Sequence, residues 1–220
     1  MRRLALVSLL ALALSACGQN AQKQAAAPAP TPPAASLASA FPDLFQANYR
    51  VEANLTHRDG AATPIVLIRA GQKTRVEMAN DAGPVVMIMN GDGGDALMII
   101  NRAGQRMALR MNSPSFEDVA AEWRDRTATN AHAVGPCSAA GENGTEWERQ
   151  DQSGDTGSVC VTNDGIILRA TKNGRTVWET TRVQRGPQDA ALFAAPPGVR
   201  VMQLGAGAQA MLERMQAKKP

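Results

Sequence analysis

Between residues 47 and 204, apolar and polar residues mostly alternate with a period of two, which is the pattern of half-buried β-strands. Turn signals separate the runs, and Asn-Gly between two alternating runs, as at Asn173-Gly174, is a strong hairpin signal. The pattern predicts strands over 47–56, 65–68, 73–78, 85–89, 96–100, 105–111, 127–134, 145–149, 158–162, 166–171, 176–183 and 199–204. These run lengths and turns are typical of an antiparallel meander.

Two stretches have helical spacing instead. Ser113-Pro114 supplies a cap and a first-turn proline, and it precedes an apolar stripe at Phe116, Val119, Ala120 and Trp123. The tail, 205–220, continues a second stripe that consists of Leu204, Ala208, Met211, Leu212 and Met215. We therefore expect a mainly β protein of the α+β class. Its architecture would be a curved antiparallel sheet or half-barrel with one internal helix and a C-terminal helix.

The first residues have the layout of a secretory signal. Arg2 and Arg3 precede an apolar run that ends in Leu14-Ser-Ala-Cys17. The run is too short to span a bilayer, which takes about 20 apolar residues. Leu-Ser-Ala-Cys resembles the lipobox of bacterial lipoproteins, and this resemblance implies that residues 1–16 are removed and that Cys17 is acylated. The alternative is an ordinary secreted protein in which Cys17 is incidental.

The segment after Cys17 differs in composition from the rest of the chain. Residues 17–40 are rich in Ala, Gln and Pro and lack apolar periodicity, which is typical of a disordered tether. At about 3 Å per residue, such a tether could hold a domain up to roughly 60 Å from the membrane. We therefore predict a signal peptide at 1–16, a lipidated tether at 17–40, one β domain at 41–204 and an amphipathic tail at 205–220.

The charge of the chain argues against a nucleic-acid partner. Removing Arg2 and Arg3 from the 23 basic residues leaves 21, against 20 acidic residues. The mature chain is therefore close to neutral, and no basic stripe is interleaved with its few aromatic residues.

Cys137 and Cys160 form an even pair once Cys17 is assigned to the lipid. In an oxidising compartment the simplest interpretation is a disulfide between them. A metal or redox pair is the alternative, but no other cysteine or histidine lies at ligand spacing from either residue.

The sequence contains no recognisable catalytic, metal or cofactor motif. It has no H-E-x-x-H, G-x-S-x-G or S-x-x-K, and its two histidines lie in separate segments. Asn90-Gly-Asp-Gly-Gly-Asp95 lacks the ligand pattern of a calcium loop and is typical of a turn. We therefore predict a protein that is not an enzyme and has no cofactor and no metal site.

Methionines are concentrated in the predicted strands between residues 78 and 111. Met87 and Met89 share a strand face, as do Met107 and Met111, because side chains two and four positions apart point the same way. These four residues are candidates for an apolar ligand-facing surface, since thioether side chains adapt to flexible ligands. Ordinary core packing is the alternative, and a Cu(I) site at Met87-Ile-Met89 is a third possibility.

The end of the predicted domain carries a family resemblance. Gly186-Pro-Gln-Asp-Ala-Ala-Leu-Phe193, followed by Pro197-Gly-Val199, resembles the ends of LolA/LolB-type periplasmic lipoprotein carriers and receptors. The acylated cysteine, the tether and the long sheet interrupted by a helix are also similar to this superfamily. The resemblance implies a half-barrel that holds acyl chains in an apolar cavity.

Together these patterns lead to two hypotheses about function. The first is a non-enzymatic envelope lipoprotein that binds an acyl chain or a lipoprotein in an apolar groove. The alternative is an envelope module that binds another protein and has no ligand cavity. Gly18 and Gln19 follow the cysteine, which by resemblance to enterobacterial sorting predicts an anchor in the outer membrane, with the domain facing the periplasm.

Replacing the predicted lipidated residue tests the anchor directly. The Cys17→Ser variant removes the sulfur that would be acylated, so it should lose fatty-acid labelling and leave the signal uncleaved or cleaved elsewhere. Metabolic labelling with a fatty-acid analogue measures this, with Ser15→Ala as the control that keeps the cysteine. Labelling of Cys17→Ser as strong as that of the wild type would show that the anchor is absent.

Overall fold

Twelve β-strands pair into one sheet. The computed structural model describes residues 40–80, 83–91, 96–102, 104–111, 119–120, 122–123, 131–150 and 154–203. The strands are β1 (Asn48–Thr56), β2 (Ala62–Ala70), β3 (Lys73–Asn80), β4 (Gly83–Asn90), β5 (Ala96–Arg102), β6 (Gln105–Met111), β7 (His132–Ala139), β8 (Glu142–Gln150), β9 (Thr156–Val161), β10 (Ile167–Lys172), β11 (Arg175–Arg185) and β12 (Val201–Gln203).

The strand order is β12-β6-β5-β4-β3-β2-β1-β11-β10-β9-β8-β7. Strands β1 to β6 follow one another as hairpins, and so do β7 to β11. The two series join where β1 pairs antiparallel with β11. Strands β12 and β7 are therefore the two edges of the sheet.

Strand register places six methionines on one face of the sheet. Met87 pairs with Met98, and the other four follow from the neighbouring pairs and the two-residue period. We call this side the methionine face, after Met78, Met87, Met89, Met98, Met107 and Met111. It also carries the larger core cluster, in which Val51, Leu67 and Val76 are almost fully buried.

The opposite side is the isoleucine face, named for Ile68, Ile88 and Ile99, which form a second core cluster with Ala108 and Phe193. A crossing segment, residues 186–200, covers this side. It contains a 3-10 turn, Ala190–Phe193, whose Phe193 is buried. Arg75 on β3 donates to the carbonyl of Leu192 at 3.0 Å, and Asn90 on β4 donates to that of Phe193 at 3.4 Å. The crossing segment is thus fixed to the sheet by apolar and polar contacts.

Aromatic residues from two other segments cover part of the methionine face. Leu44 is 2% exposed, and the ring of Phe41 stacks on Trp123 at 5.9 Å and meets Trp147 edge-on at 5.2 Å. The indole of Trp123 is also buried. Phe41 and Trp123 therefore pack together against Trp147, on the half of the sheet that contains β8.

The expected α+β class is wrong. The structure is almost entirely β, and among the described residues it has one 3-10 turn and no helix of seven or more residues. Where the internal helix was predicted, helical backbone is described at 119–120 and 122–123. An apolar stripe this short is weak evidence for a helix, because isolated helices below about 12–15 residues are marginal. The C-terminal helix was predicted on 205–220, which lies outside the described residues.

The prediction of a purely antiparallel sheet is also wrong at one edge. β12 pairs parallel with β6, through Val201–Ala108, Met202–Leu109 and Gln203–Arg110. A parallel pair requires a long crossover connection, and the crossing segment supplies it. The alternation within residues 199–204 predicted a strand there, but it carries no information about which strand is the partner.

Strand β7 lies further along the chain than the sequence predicted. The alternation predicts a strand over 127–134, whereas β7 runs from His132 to Ala139 and continues through Gly135-Pro-Cys137. Proline is tolerated because β7 is an edge strand and its register shifts between Ala133 and Gly135.

The predicted signal, Cys17 and the tether up to residue 39 lie outside the described residues, as does the tail. Within the described ranges, no helix has the length and apolar character needed to cross a membrane.

The β9–β10 turn packs tightly against the N-terminal segment at Gly165. A Cβ there would collide with the backbone of Asp43, and Gly165 has φ +84°. Gly174 has a similar φ of +74° with open space around it. We expect Gly174→Ala to lower the free energy of unfolding by about 1–2 kcal/mol through backbone strain alone.

The Gly165→Ala variant should cost about 2–4 kcal/mol, because the collision adds to the same strain. Chemical denaturation of both variants measures the difference. Equal losses in the two variants would mean that the contact with Asp43 does not constrain the fold.

Candidate functional site

One register row of the methionine face runs from the core to the β12 edge of the sheet. We call it the methionine stripe, and its successive paired residues are Val76, Met87, Met98, Leu109 and Met202. Val76 is fully buried and Met87 is 4% exposed, whereas Met202 at the far end is 38% exposed. The stripe therefore connects the interior to an apolar surface at β12.

The neighbouring row widens this surface. Val85, Ile100 and Met107 occupy adjacent positions on β4, β5 and β6 of the methionine face. All three are half-buried, and so is Leu109. Within the described part of the chain, none of these four belongs to either core cluster. This end of the methionine face thus carries apolar side chains that are only partly buried and lie outside the described core clusters.

The edge strands carry the exposed large apolar residues. Among the residues that the structure describes, these are Val134 on β7 and Val201 and Met202 on β12. β12 bonds to β6 on one side, and no described strand pairs with its other side. The outward N–H and C=O groups of β12 could therefore pair with an added strand. On β7, by contrast, Pro136 removes one donor and the register shift disrupts the edge.

The four methionines predicted to face a ligand share the methionine face but differ in exposure. Met87 and Met111 are 4% and 7% exposed and pack in the larger core, whereas Met89 and Met107 are half-buried. The prediction missed Met202 and Leu109, which lie nearest the edge. The alternation at 199–204 located β12, but only its pairing with β6 places Met202 beside Leu109.

A small cavity and an open groove lie among the described residues, and neither is lined by Met87, Met89, Met107 or Met111. A space of about 30 Å³ beside Trp123 and Arg149 has room for about one water molecule. An open groove of about 380 Å³ crosses β1, β2 and β3, with Val66 between the carboxylates of Glu52 and Glu77. Glu77 is already paired with Arg75 at 2.7 Å.

Cys137 and Cys160 form a disulfide with a Cα–Cα distance of 5.9 Å. It links β7 to β9, the strands on either side of β8. A carboxylate oxygen of Glu146 lies within 4.8 Å of both sulfurs, and these three residues are the one metal-capable cluster found among the described residues. Since thiolate is the form that binds metals, the disulfide leaves this cluster without its sulfur ligands.

The carboxylate of Glu146 is bound within the sheet. It accepts hydrogen bonds from the hydroxyl of Ser158 at 2.7 Å and from the guanidinium of Arg169 at 3.0 Å. The Ser158 hydroxyl is also 2.8 Å from that of Thr171. This network joins β8, β9 and β10, and it offers no general base with a free carboxylate.

Two buried arginines fix the segments that cover the methionine face. The guanidinium of Arg149 lies 4.5 Å from the Trp123 ring and bonds to Glu122 at 3.0 Å. The guanidinium of Arg69 lies 4.7 Å from the Phe45 ring, and its Nε donates to the Tyr49 hydroxyl at 3.2 Å. Both cations act as anchors for the covering aromatic residues.

A surface ion-pair cluster connects the end of β11 with the β9–β10 turn and the start of β8. Arg185 at the end of β11 donates to Asp164 at 2.7 Å and to Glu142 at 2.9 Å. The hydrogen bond from Arg185 is the main reason that the pKa of Asp164 lies below its usual value. The same pairs raise the pKa of Arg185. These groups are partly exposed, so we assign the cluster at most about 1 kcal/mol of stability.

Comparison with known proteins identifies no family. No protein-family model matches the sequence, and no curated protein is significantly similar to it. The resemblance to LolA/LolB-type proteins therefore stays a prediction.

Several solved structures show a distant likeness. An uncharacterized conserved protein from Thermus thermophilus gives a TM-score of 0.48 at 10% identity, over 73% of this chain and 92% of that one. MucB, in the Pseudomonas aeruginosa MucA/MucB complex, gives 0.45 at 13% identity, over 69% of this chain and 56% of that one. PNGF-II gives 0.45 at 16% identity over 78% of this chain, which spans only 33% of PNGF-II. At these scores the likenesses establish neither a shared fold nor a shared function.

Removing the disulfide tests its contribution to the fold. The double variant Cys137→Ala/Cys160→Ala should lose roughly 3 kcal/mol of unfolding free energy, because the bridge closes a long loop with a separation of 23 residues. Denaturant titration measures this with and without a reducing agent. The reductant should destabilise the wild type by a similar amount and leave the double variant unchanged. Equal stability of all four samples would mean that the bridge does not constrain the chain.

Proposed function

We propose that this protein is a lipid-anchored module of the bacterial cell envelope that binds an extended apolar segment of another protein. The segment would add to the side of β12 that faces away from β6 and place its apolar side chains on the methionine stripe. The observation that carries the proposal is the stripe itself, which runs from buried Val76 to exposed Met202, beside a strand edge that pairs with no strand among the described residues.

The open edge favours a polypeptide over an acyl chain. A peptide strand can use both the backbone groups of β12 and the apolar side chains next to them, as in β-strand addition. An acyl chain would use only the apolar side chains. Burial of Met87 and Met111 also favours the peptide, because a filled core leaves no space for a chain of methylenes at these positions.

The half-buried row at Val85, Ile100 and Met107 supports a second candidate function, which is binding of an acyl chain or a lipoprotein lipid. Methionine and other flexible side chains repack around such ligands. This function requires the row to open into a groove.

The proposed location follows from the lipobox and the tether. A tether of about twenty residues would let the domain reach partners up to roughly 60 Å from the membrane. The near-neutral mature chain fits a protein partner in the envelope better than a nucleic acid.

Site-specific photo-crosslinking in intact cells tests the proposal. A photoreactive residue at Gln203 should give a discrete adduct with one protein, because Gln203 lies on the exposed edge strand. Met202→Asp should abolish the adduct by placing a charge in the apolar contact, and Met202→Leu should retain it. Val134→Asp, at an exposed apolar residue on the opposite edge, is the matched control and should have no effect.

An adduct that is unchanged by Met202→Asp would contradict the proposal. The acyl-chain candidate makes a different prediction, namely that fatty acid raises the melting temperature of the purified protein and that Met89→Asp abolishes the increase while the fold survives. That result, with no adduct at Gln203, would replace the proposed function with the second candidate.

A further inference from the structure

The β12 end of the sheet is basic. Strands β4, β5, β6 and β12 contain no aspartate or glutamate within their bounds, and three arginines lie in β5 and β6. Arg200 immediately precedes β12, and its carbonyl accepts the N–H of Ala108 at 3.3 Å. Arg106, Arg110 and Arg200 are exposed. Neither Arg106 nor Arg200 forms an ion pair with any residue described in the structure.

Two of these arginines lie on the isoleucine face. Arg106 and Arg110 flank buried Ala108 at two-residue spacing, so all three point to the same side of β6. On β12, Val201 pairs with Ala108 and Gln203 pairs with Arg110. A strand added beyond β12 would lie about 10 Å from β6, which is within the combined reach of an arginine and a glutamate side chain.

The two sides of the β12 edge therefore differ in chemistry. Side chains of an added strand would meet Met202 and Leu109 on the methionine face, and an arginine-rich surface on the isoleucine face. If two copies of this chain paired through β12, the arginines of one copy would lie close to the same arginines of the other copy. Like charges across paired strands are unfavourable. Charge thus disfavours a second copy and favours an acidic partner.

We infer that the segment bound at β12 alternates apolar and acidic residues, with the apolar side chains on the methionine face and the carboxylates on the isoleucine face. This inference rests on the proposed function and adds the chemistry of the partner. The competing explanation is that the arginines only protect the edge against aggregation, as charged residues on edge strands do.

Two fluorescent peptides of about eight residues test the inference, one alternating leucine and glutamate and the other alternating leucine and lysine. Their anisotropy is measured with the full chain held in nanodiscs of zwitterionic lipid. The glutamate peptide should bind at least about tenfold more tightly, and added salt should weaken its binding. Arg106→Glu/Arg110→Glu should reverse the preference, and Arg106→Gln/Arg110→Gln should remove it, because both residues lie on the isoleucine face. Lys172→Glu, at an exposed cation on distant β10, is the control and should change nothing.

The possible failures are distinct. Equal binding of both peptides, lost in Met202→Asp, would overturn the acidic partner and leave the proposed function standing. A glutamate preference that survives both double arginine variants would also overturn the inference, because the charge would be recognised elsewhere. Binding of neither peptide would overturn both proposals. If anionic vesicles bound instead, with binding lost in Arg106→Glu/Arg110→Glu, the basic edge would be a membrane-facing surface.

Discussion

The fold depends on covering a long sheet that is apolar on both faces. Antiparallel sheets commonly bury one face and leave the other in water, but here Val76 and Ile88, on opposite sides, are both almost fully buried. Each face therefore needs its own cover. Phe41, Leu44 and Trp123 cover part of the methionine face, and the crossing segment with Phe193 covers the isoleucine face. Both covers lie far in sequence from most of the strands that they protect.

The crossing segment also determines the edge of the sheet. After β11 the chain passes across the isoleucine face and meets β6 on the far side, so its next strand, β12, adds in parallel. The cover that buries Ile68 and Ile99 thus brings Met202 beside Leu109 and creates the exposed end of the methionine stripe. The candidate site is in this sense a consequence of how the sheet is covered.

Polar interactions hold the segments that cover the sheet and connect strands and turns at its surface. The buried guanidinium groups of Arg69 and Arg149 hold the aromatic residues on the methionine face, where their long apolar stems add to the packing. The partly exposed ion pairs of Arg185 connect β11 to β8 and to the β9–β10 turn, and they contribute little to stability. The disulfide acts across β8 and limits the freedom of the β7 edge. Stability is thereby concentrated away from β12, whose side chains are exposed.

The sequence by itself determined the local structure. The two-residue alternation and the Asn-Gly turns located most strands, because side-chain period and turn chemistry are local properties of the chain. Together they also placed the four candidate methionines on their strand faces. Two predictions from local patterns were wrong. β7 continues through Pro136 because an edge strand tolerates proline. The short apolar stripe near Trp123 predicted more helix than the described residues contain.

Only the tertiary structure decided which strands are neighbours and which apolar residues are covered. Met87 and Met107 look equivalent in the sequence, yet one is buried in the core and the other is half-buried near the edge. Met202 gains its place in the stripe from a partner strand about ninety residues earlier, a separation over which no periodicity carries information. Burial and strand pairing depend on the long-range path of the chain, and a local pattern of apolar and polar residues is compatible with many such paths.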